Sequence, residues 1–254
     1  MKKIFFPGLI SLFLAILSAA PLTAISLKPT KLTDQTLNLI ERIQLGTIAE
    51  RSVAIEEAGV TGCKPCYYTL VSMLKDESPK IRRATGMSLG LLRNASAISH
   101  IDKALQVETD ESVKADMVRS LGFYRTKESA TLVGNYLNSN SEKIRFAAAK
   151  VLTIVVEETM YDKIMGQLKT ETSDAIKVML LHAALKLKIK SDQVTELVRF
   201  FYSTDRFVRL YAARGAADLK LKEALLDLKK AVLLEPEVDV RDEFYRAFNE
   251  TLYK

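Results

Sequence analysis

Tryptophan is absent from this sequence, and histidine, cysteine, proline and glycine are scarce: two, two, six and ten in 254 residues. So little Gly and Pro leaves too few turn formers for a loop-rich β architecture. Two His and two Cys give little material for a metal centre and restrict most acid–base schemes. No Gly-rich phosphate loop, nucleophile elbow or paired catalytic carboxylate occurs either. The rest is ordinary for a globular chain, with 48% hydrophobic and 27% charged residues, and that excludes wholesale disorder.

The N-terminal segment reads as an address. Lys2 and Lys3 precede an apolar run from Ile4 to Ala20, small residues follow through Ala24 and Ser26, and no acid occurs before Asp34. This is the pattern of a secretory signal peptide, here residues 1–26, with cleavage expected after Ala24 or Ser26. The run is short for a bilayer span of roughly 20 residues and contains Pro7, and no later stretch is long enough to span. Losing Lys2 and Lys3 takes the net charge from +6 to +4. A mildly basic, exported chain gives no reason to expect a nucleic-acid partner.

Internal repetition decides the fold. Six segments align: SPKIRRATGMSLG from Ser78, DESVKADMVRSLG from Asp110, SEKIRFAAAKVLT from Ser141, SDAIKVMLLHAAL from Ser173, DRFVRLYAARGAA from Asp205 and EVDVRDEFYRAFN from Glu237. Their β-branched anchors, Ile81, Val113, Ile144, Ile176, Val208 and Val240, are spaced 32, 31, 32, 32 and 32 residues apart. A basic residue follows every anchor: Arg82, Lys114, Arg145, Lys177, Arg209 and Arg241. At the chain's overall frequency of Lys and Arg, that is a coincidence of about one in 10⁵.

From each anchor, offsets 0, +4, +7 and +8 share one helical face, as Ile144, Ala148, Val151 and Leu152 do. Three residues before the anchor stand Ser78, Asp110, Ser141, Ser173, Asp205 and Glu237. Five of these six are good N-caps, expected to accept from free N–H groups at the helix start. A second apolar-periodic segment precedes each of these helices, so the unit is a helix pair that must stack on its neighbours. Residues 27–65 read as a linker and a degenerate capping repeat, and 66–254 as six repeats of about 32 residues.

The period and the V-R-x-x-A-A-x-x-L-G style of the second helix resemble HEAT repeats of the short, phycobilisome lyase-like type. The resemblance implies an all-α, right-handed α-solenoid of HEAT-like helix pairs. Its members include protein-binding scaffolds, bilin lyases, DNA-repair modules and a di-iron hydroxylase. The hydroxylase pattern of His-Glu pairs is missing, because Ile101 follows His100 and Ala183 follows His182. No lyase catalytic motif matches.

Three features are candidates for function. The basic column after the anchors fits either an anion-binding stripe or a structural ladder to acids in the inter-repeat turns (Asp76, Asp110, Glu171, Asp205, Glu237). The ladder is the favoured reading, since ordered charge pairs between layers set register. At anchor +6 stand Met87, Arg119, Lys150, His182, Arg214 and Arg246, opposite the buried stripe and therefore on the expected concave surface. Beside them, offset +2 carries Phe146 and Leu210. Arg119, Lys150, His182, Arg214, Arg246, Phe146 and Leu210 are thus expected to line a groove for an acidic or amphipathic peptide. The same column fits a solvated face equally well. His182, with no carboxylate or second His near it in sequence, reads as a neutral spacer or a pH-sensitive rim residue.

Cys63 and Cys66 form Cys-Lys-Pro-Cys ahead of Tyr67. In an exported protein the default is a disulfide. Redox activity and metal binding are the alternatives, each short of its usual context: no βαβ unit for the first, no further ligand set for the second. The sequence therefore points to an exported scaffold, periplasmic or secreted. It would bind a protein or peptide in its groove, with no cofactor, no metal and no transmembrane span in the mature chain. A lyase-like or thiol-redox enzyme using the cysteine pair is the alternative.

Overall fold

The computed structural model describes residues 32–253. The expected signal peptide, residues 1–26, and the first part of the expected linker lie outside the described residues. All regular structure among the described residues is helical, and no helix there is long and apolar enough to cross a membrane.

Among the described residues, fourteen α-helices form seven consecutive pairs: α1 (Asp34–Leu45) with α2 (Ile48–Val60), α3 (Tyr67–Met73) with α4 (Pro79–Leu92), and α5 (Ala97–Val107) with α6 (Glu111–Ser120). They continue with α7 (Lys127–Gly134) and α8 (Glu142–Leu152), α9 (Tyr161–Thr170) and α10 (Asp174–Leu187), α11 (Ser191–Arg199) and α12 (Arg206–Leu219), and α13 (Leu225–Leu234) and α14 (Val238–Leu252). The even-numbered helices stack in chain order, α2 on α4 through to α12 on α14, and the odd ones cover one side. This is an α-solenoid with one core running from layer to layer.

Period and burial coincide. All six anchors, Ile81, Val113, Ile144, Ile176, Val208 and Val240, are buried, as are Ala148, Val151 and Leu152 on the face of Ile144. Small residues set the layer spacing. A Cβ on Gly59 of α2 would stand 2.8 Å from the Cα of Ser88 on α4. Ser88 Oγ also donates to the Ile55 carbonyl at 2.8 Å. Residues 34–60 form the opening helix pair, packed on the next layer.

Helix starts follow a rule that differs from the expected one. Of the six expected N-caps, Asp110 and Asp205 alone cap with their side chains, each accepting from the N–H groups two and three residues on. Ser78, Ser141, Ser173 and Glu237 make no such bond. Instead, the residue two before each N-cap accepts that N-cap's own N–H. Asp76 serves Ser78, Glu108 serves Asp110, Ser139 serves Ser141, Glu171 serves Ser173, Ser203 serves Asp205 and Glu235 serves Glu237. The turn is thus fixed by a side-chain acceptor just upstream of the cap.

Where that acceptor is Glu, it completes a ladder. Arg82 donates through Nε and Nη2 to both carboxylate oxygens of Glu108 at 2.7 and 2.8 Å, and through Nη1 to the Asp76 and Glu77 carbonyls at 2.9 Å. Arg145 repeats this with Glu171 and the carbonyls of Ser139 and Asn140. Arg209 repeats it with Glu235 and the carbonyls of Ser203 and Thr204. Each guanidinium therefore clamps the turn before its own helix to the turn one repeat further on.

Arg51 of α2, paired with Asp76, is an earlier rung. Asp110, Asp205 and Glu237, expected as ladder partners, are not the acids used. The lysines do not form rungs: opposite Lys114 and Lys177 stand Ser139 and Ser203, and Lys177 bonds Asp174 at 3.2 Å within its own helix. An ammonium lacks the planar fork that reaches a carboxylate and two carbonyls at once.

The rungs carry stability. Glu171 is fully buried at its side chain and Arg145 is 16% exposed. Burial alone would raise the Glu171 pKa, but bonds from Arg145, Gln167 and the N–H groups of Thr172 and Ser173 bring it down to about 2. The folded pKa is depressed from 4.5, so this contribution is complete above about pH 4.5 and disappears as pH falls toward 2, on the order of 3 kcal/mol for the rung. Glu108, held by Arg82, and Glu235, held by Arg209 against its own desolvation, shift in the same direction. Chemical denaturation between pH 6 and 2.5 should show stability dropping through this window. Arg145→Gln, which strands the buried carboxylate, should cost about 3–5 kcal/mol at pH 7 by urea melt and flatten that pH dependence.

Candidate functional site

The inner face of the stack is identified by one contact. The rings of Phe146 on α8 and Tyr211 on α12 lie 5.7 Å apart, centroid to centroid, although α10 stands between their helices. In a straight stack helices two layers apart would be about 16–20 Å from each other, so these side chains meet on the concave side of a curve. On α10, Val178, Met179 and His182 are all buried, and so is Leu210 next to Tyr211. Curvature closes the middle of the groove. His182 and Leu210 are therefore packed residues rather than open groove walls, and Phe146 is half-buried.

The cations of the +6 column do share this face, interleaved with carboxylates. Arg119 pairs with Asp116, which also takes Arg83 from the preceding layer. Arg214 Nε lies 3.5 Å from Glu243 Oε2, while Arg246 holds Glu243 closely and Glu250 at 3.2 Å. Lys150 is exposed and makes no ion pair among the described residues. The column expected from sequence as basic is thus a mixed face of cations and carboxylates. Asp116 and Glu243 sit at anchor +3, and Asp218 and Glu250 at +10. At 100° per residue these offsets fall beside +6 on the helix, so the acids were readable once the whole face, rather than one column, is considered.

His182 has the carboxylate that its sequence neighbours do not supply. Nε2 lies 2.9 Å from Asp218 Oδ2, one layer on, and Lys186 Nζ reaches the same oxygen at 2.7 Å. Burial lowers the His182 pKa below 6.5, Asp218 partly restores it and Lys186 opposes. The imidazole is neutral at pH 7.

Together these groups line a cleft of about 470 Å³ formed by His182, Arg214, Ala217, Asp218, Lys220, Arg246 and Glu250. Three of the expected site residues thus converge, from the last three layers. Arg119, Lys150, Phe146 and Leu210 do not line it. Its lining has no hydroxyl or thiol nucleophile. No group of three or more metal-ligating side chains occurs among the described residues.

Cys63 and Cys66 are joined by a disulfide, with Cys66 buried and Cys63 half-buried. Its turn is also held by backbone bonds from Cys63 N to Ala58 O and from Cys66 N to Cys63 O. It belongs to the α2–α3 connection, while the cleft belongs to α10, α12 and α14.

The His182 environment makes a spectroscopic prediction. Its folded pKa is below the unfolded value of about 6.5, so protonation works against the fold as pH falls through 6.5. In an NMR titration, His182 should take up its proton below pH 6.5. Asp218→Asn should move that midpoint further down, because the carboxylate is what favours the imidazolium.

Comparison with known proteins agrees with this architecture. A family model for HEAT repeats matches residues 37–122, including the first helix pair. Among solved structures, the chain is similar to the phycocyanin lyase complex of CpcE and CpcF from Nostoc sp. PCC7120, with a TM-score of 0.61 and 17% identity over 87% of this chain and 96% of that one. It is also similar to the Escherichia coli protein YibA, with a TM-score of 0.53 and 12% identity over 88% of this chain and 94% of the other. An engineered protein matches with a TM-score of 0.50 and 17% identity over 86% and 68% of the two chains. No curated protein sequence matches the chain. At such identities the likeness is one of fold: the described residues form an α-solenoid of stacked helix pairs, and residues 37–122 match the HEAT-repeat model.

Proposed function

We propose that this α-solenoid is an exported, non-enzymatic scaffold that binds a protein or peptide in the cleft of α10, α12 and α14. HEAT repeats often bind proteins, and the last three layers of the α-solenoid supply an open stretch of inner face for it. The observation that carries the reading is the state of Arg214. Its side chain is 53% exposed, and its one ion-pair contact, to Glu243, is long at 3.5 Å. Glu243 is already held by Arg246. The Arg214 guanidinium therefore keeps donors for an incoming carboxylate, at the mouth of a cleft backed by the buried Ala217.

Export rests on Lys2, Lys3 and the Ile4–Ala20 run, and an oxidised Cys63–Cys66 pair suits an oxidising compartment.

Affinity capture from an envelope or extracellular fraction, using the native protein and Arg214→Glu in parallel, tests the reading. The variant should keep its helical circular dichroism and lose at least about tenfold in affinity for the captured protein, roughly 1.4 kcal/mol. Binding to the native protein should weaken as salt rises. Equal capture by both forms would assign the cleft to a solvated face.

A further inference from the structure

The ladder contains a rung with its donors in place and its carboxylate missing. At the filled rung of the α9–α10 layer, Glu171 is held by Arg145, by Gln167 Nε2 at 3.1 Å and by the N–H groups of Thr172 and Ser173. One repeat later, 32 residues on in each case, Lys177 stands for Arg145, Arg199 for Gln167 and Ser203 for Glu171. Ser203 Oγ keeps the turn-forming half of the role, accepting from Asp205 N at 3.2 Å. It has no charge to offer the two cations.

A cleft of about 360 Å³ remains, lined by Lys177, Arg199, Ser203, Thr204, Phe200, Asp174 and Glu196. Arg199 is exposed and makes no ion pair among the described residues. Asp174, half-exposed, engages only Lys177. Glu196, on α11 with Arg199, makes no ion pair among the described residues. The other lysine rung is the internal control. There Asn135 occupies the place of Arg199 and is bonded by Lys163 at 2.9 Å, so the second cation near that gap already has a partner.

We propose that the gap between Lys177, Arg199 and Ser203 is a docking site for a carboxylate from outside the chain: the Asp or Glu side chain of a protein partner, seated where Glu171 sits one layer earlier. A carboxylate there meets an ammonium and a guanidinium, and both bonds are charge-assisted. Phe200 supplies an apolar wall for the methylene carbons of the incoming side chain. This site lies on the ladder edge of the stack, apart from the Arg214 cleft, and does not depend on that reading.

The test is an amide NMR titration with N-acetyl-glutamate amide as probe and N-acetyl-glutamine amide as its neutral match. Saturable shifts are expected at Thr204 and Asp205 with the glutamate probe alone, at millimolar concentrations, and not at Asn140 beside the control gap. Arg199→Gln should weaken the shifts at least fivefold, while Arg214→Glu should leave them unchanged. Lys177→Arg with Ser203→Glu completes the rung from within, so the double variant should lose the response and gain about 2–4 °C in Tm. No saturable shift up to 50 mM, an equal shift with the neutral probe, or an undiminished response in both Arg199→Gln and the Lys177→Arg/Ser203→Glu double variant would overturn the assignment.

Discussion

A guanidinium that bonds two turns at once is the constraint on which this solenoid rests. Helices of successive layers touch through Ala, Gly, Val and Leu, and such surfaces slide easily, because dispersion and burial have little direction. The Arg82, Arg145 and Arg209 side chains remove that freedom. Each fixes its own turn through carbonyl oxygens and the following turn through a bidentate carboxylate, so the distance between layers and the angle between them are set together. The carboxylate then orders the next helix start by accepting the N-cap's N–H. Register, turn shape and helix initiation are therefore one hydrogen-bonded unit, repeated with Glu at α4, α8 and α12.

The alternation has a chemical logic of its own. Within this one chain, Arg after the anchor goes with Glu in the next turn, and Lys goes with Ser. A buried carboxylate without a fork of donors would be a stranded charge, and a fork without its carboxylate would be only half satisfied. Where the sequence has Lys, it therefore also gives up the acid and keeps only a hydroxyl to shape the turn. Packing and other polar contacts hold those layers, Lys143 with Ser112 in one and His182 and Lys186 with Asp218 in the other, and there the ladder edge is open to solvent.

Much of this was legible in the sequence, and the rest was not, for identifiable reasons. The β-branched anchors and the basic residue after each stand out because they recur inside the aligned helix. Glu171 was among the turn acids expected for the ladder, whereas Glu108 and Glu235, at the same place in their turns, were passed over for Asp110 and Glu237 two residues on. The Arg51–Asp76 rung was hidden further, since Glu50 occupies the anchor position and breaks the pattern. On the inner face, Arg214, Arg246 and His182 were found together, but the acids between them were missed by following a single offset. Burial of His182 and Leu210 depends on curvature, which results from many small packing choices and is written in no single residue.

The Phe146–Tyr211 contact has a consequence for how the chain holds together as a whole. Repeat proteins are close to one-dimensional chains in which each layer feels only its neighbours, so they tend to fray and melt in pieces from the ends. Here two layers separated by a third are joined directly, and an aromatic pair is worth about 0.5–1.5 kcal/mol beyond its buried area. The layers of α8, α10 and α12 thereby share a coupling that bypasses the nearest-neighbour rule. They form a cooperative block in the middle of the array, with α10 enclosed within it, and fraying from either end stops at its edge.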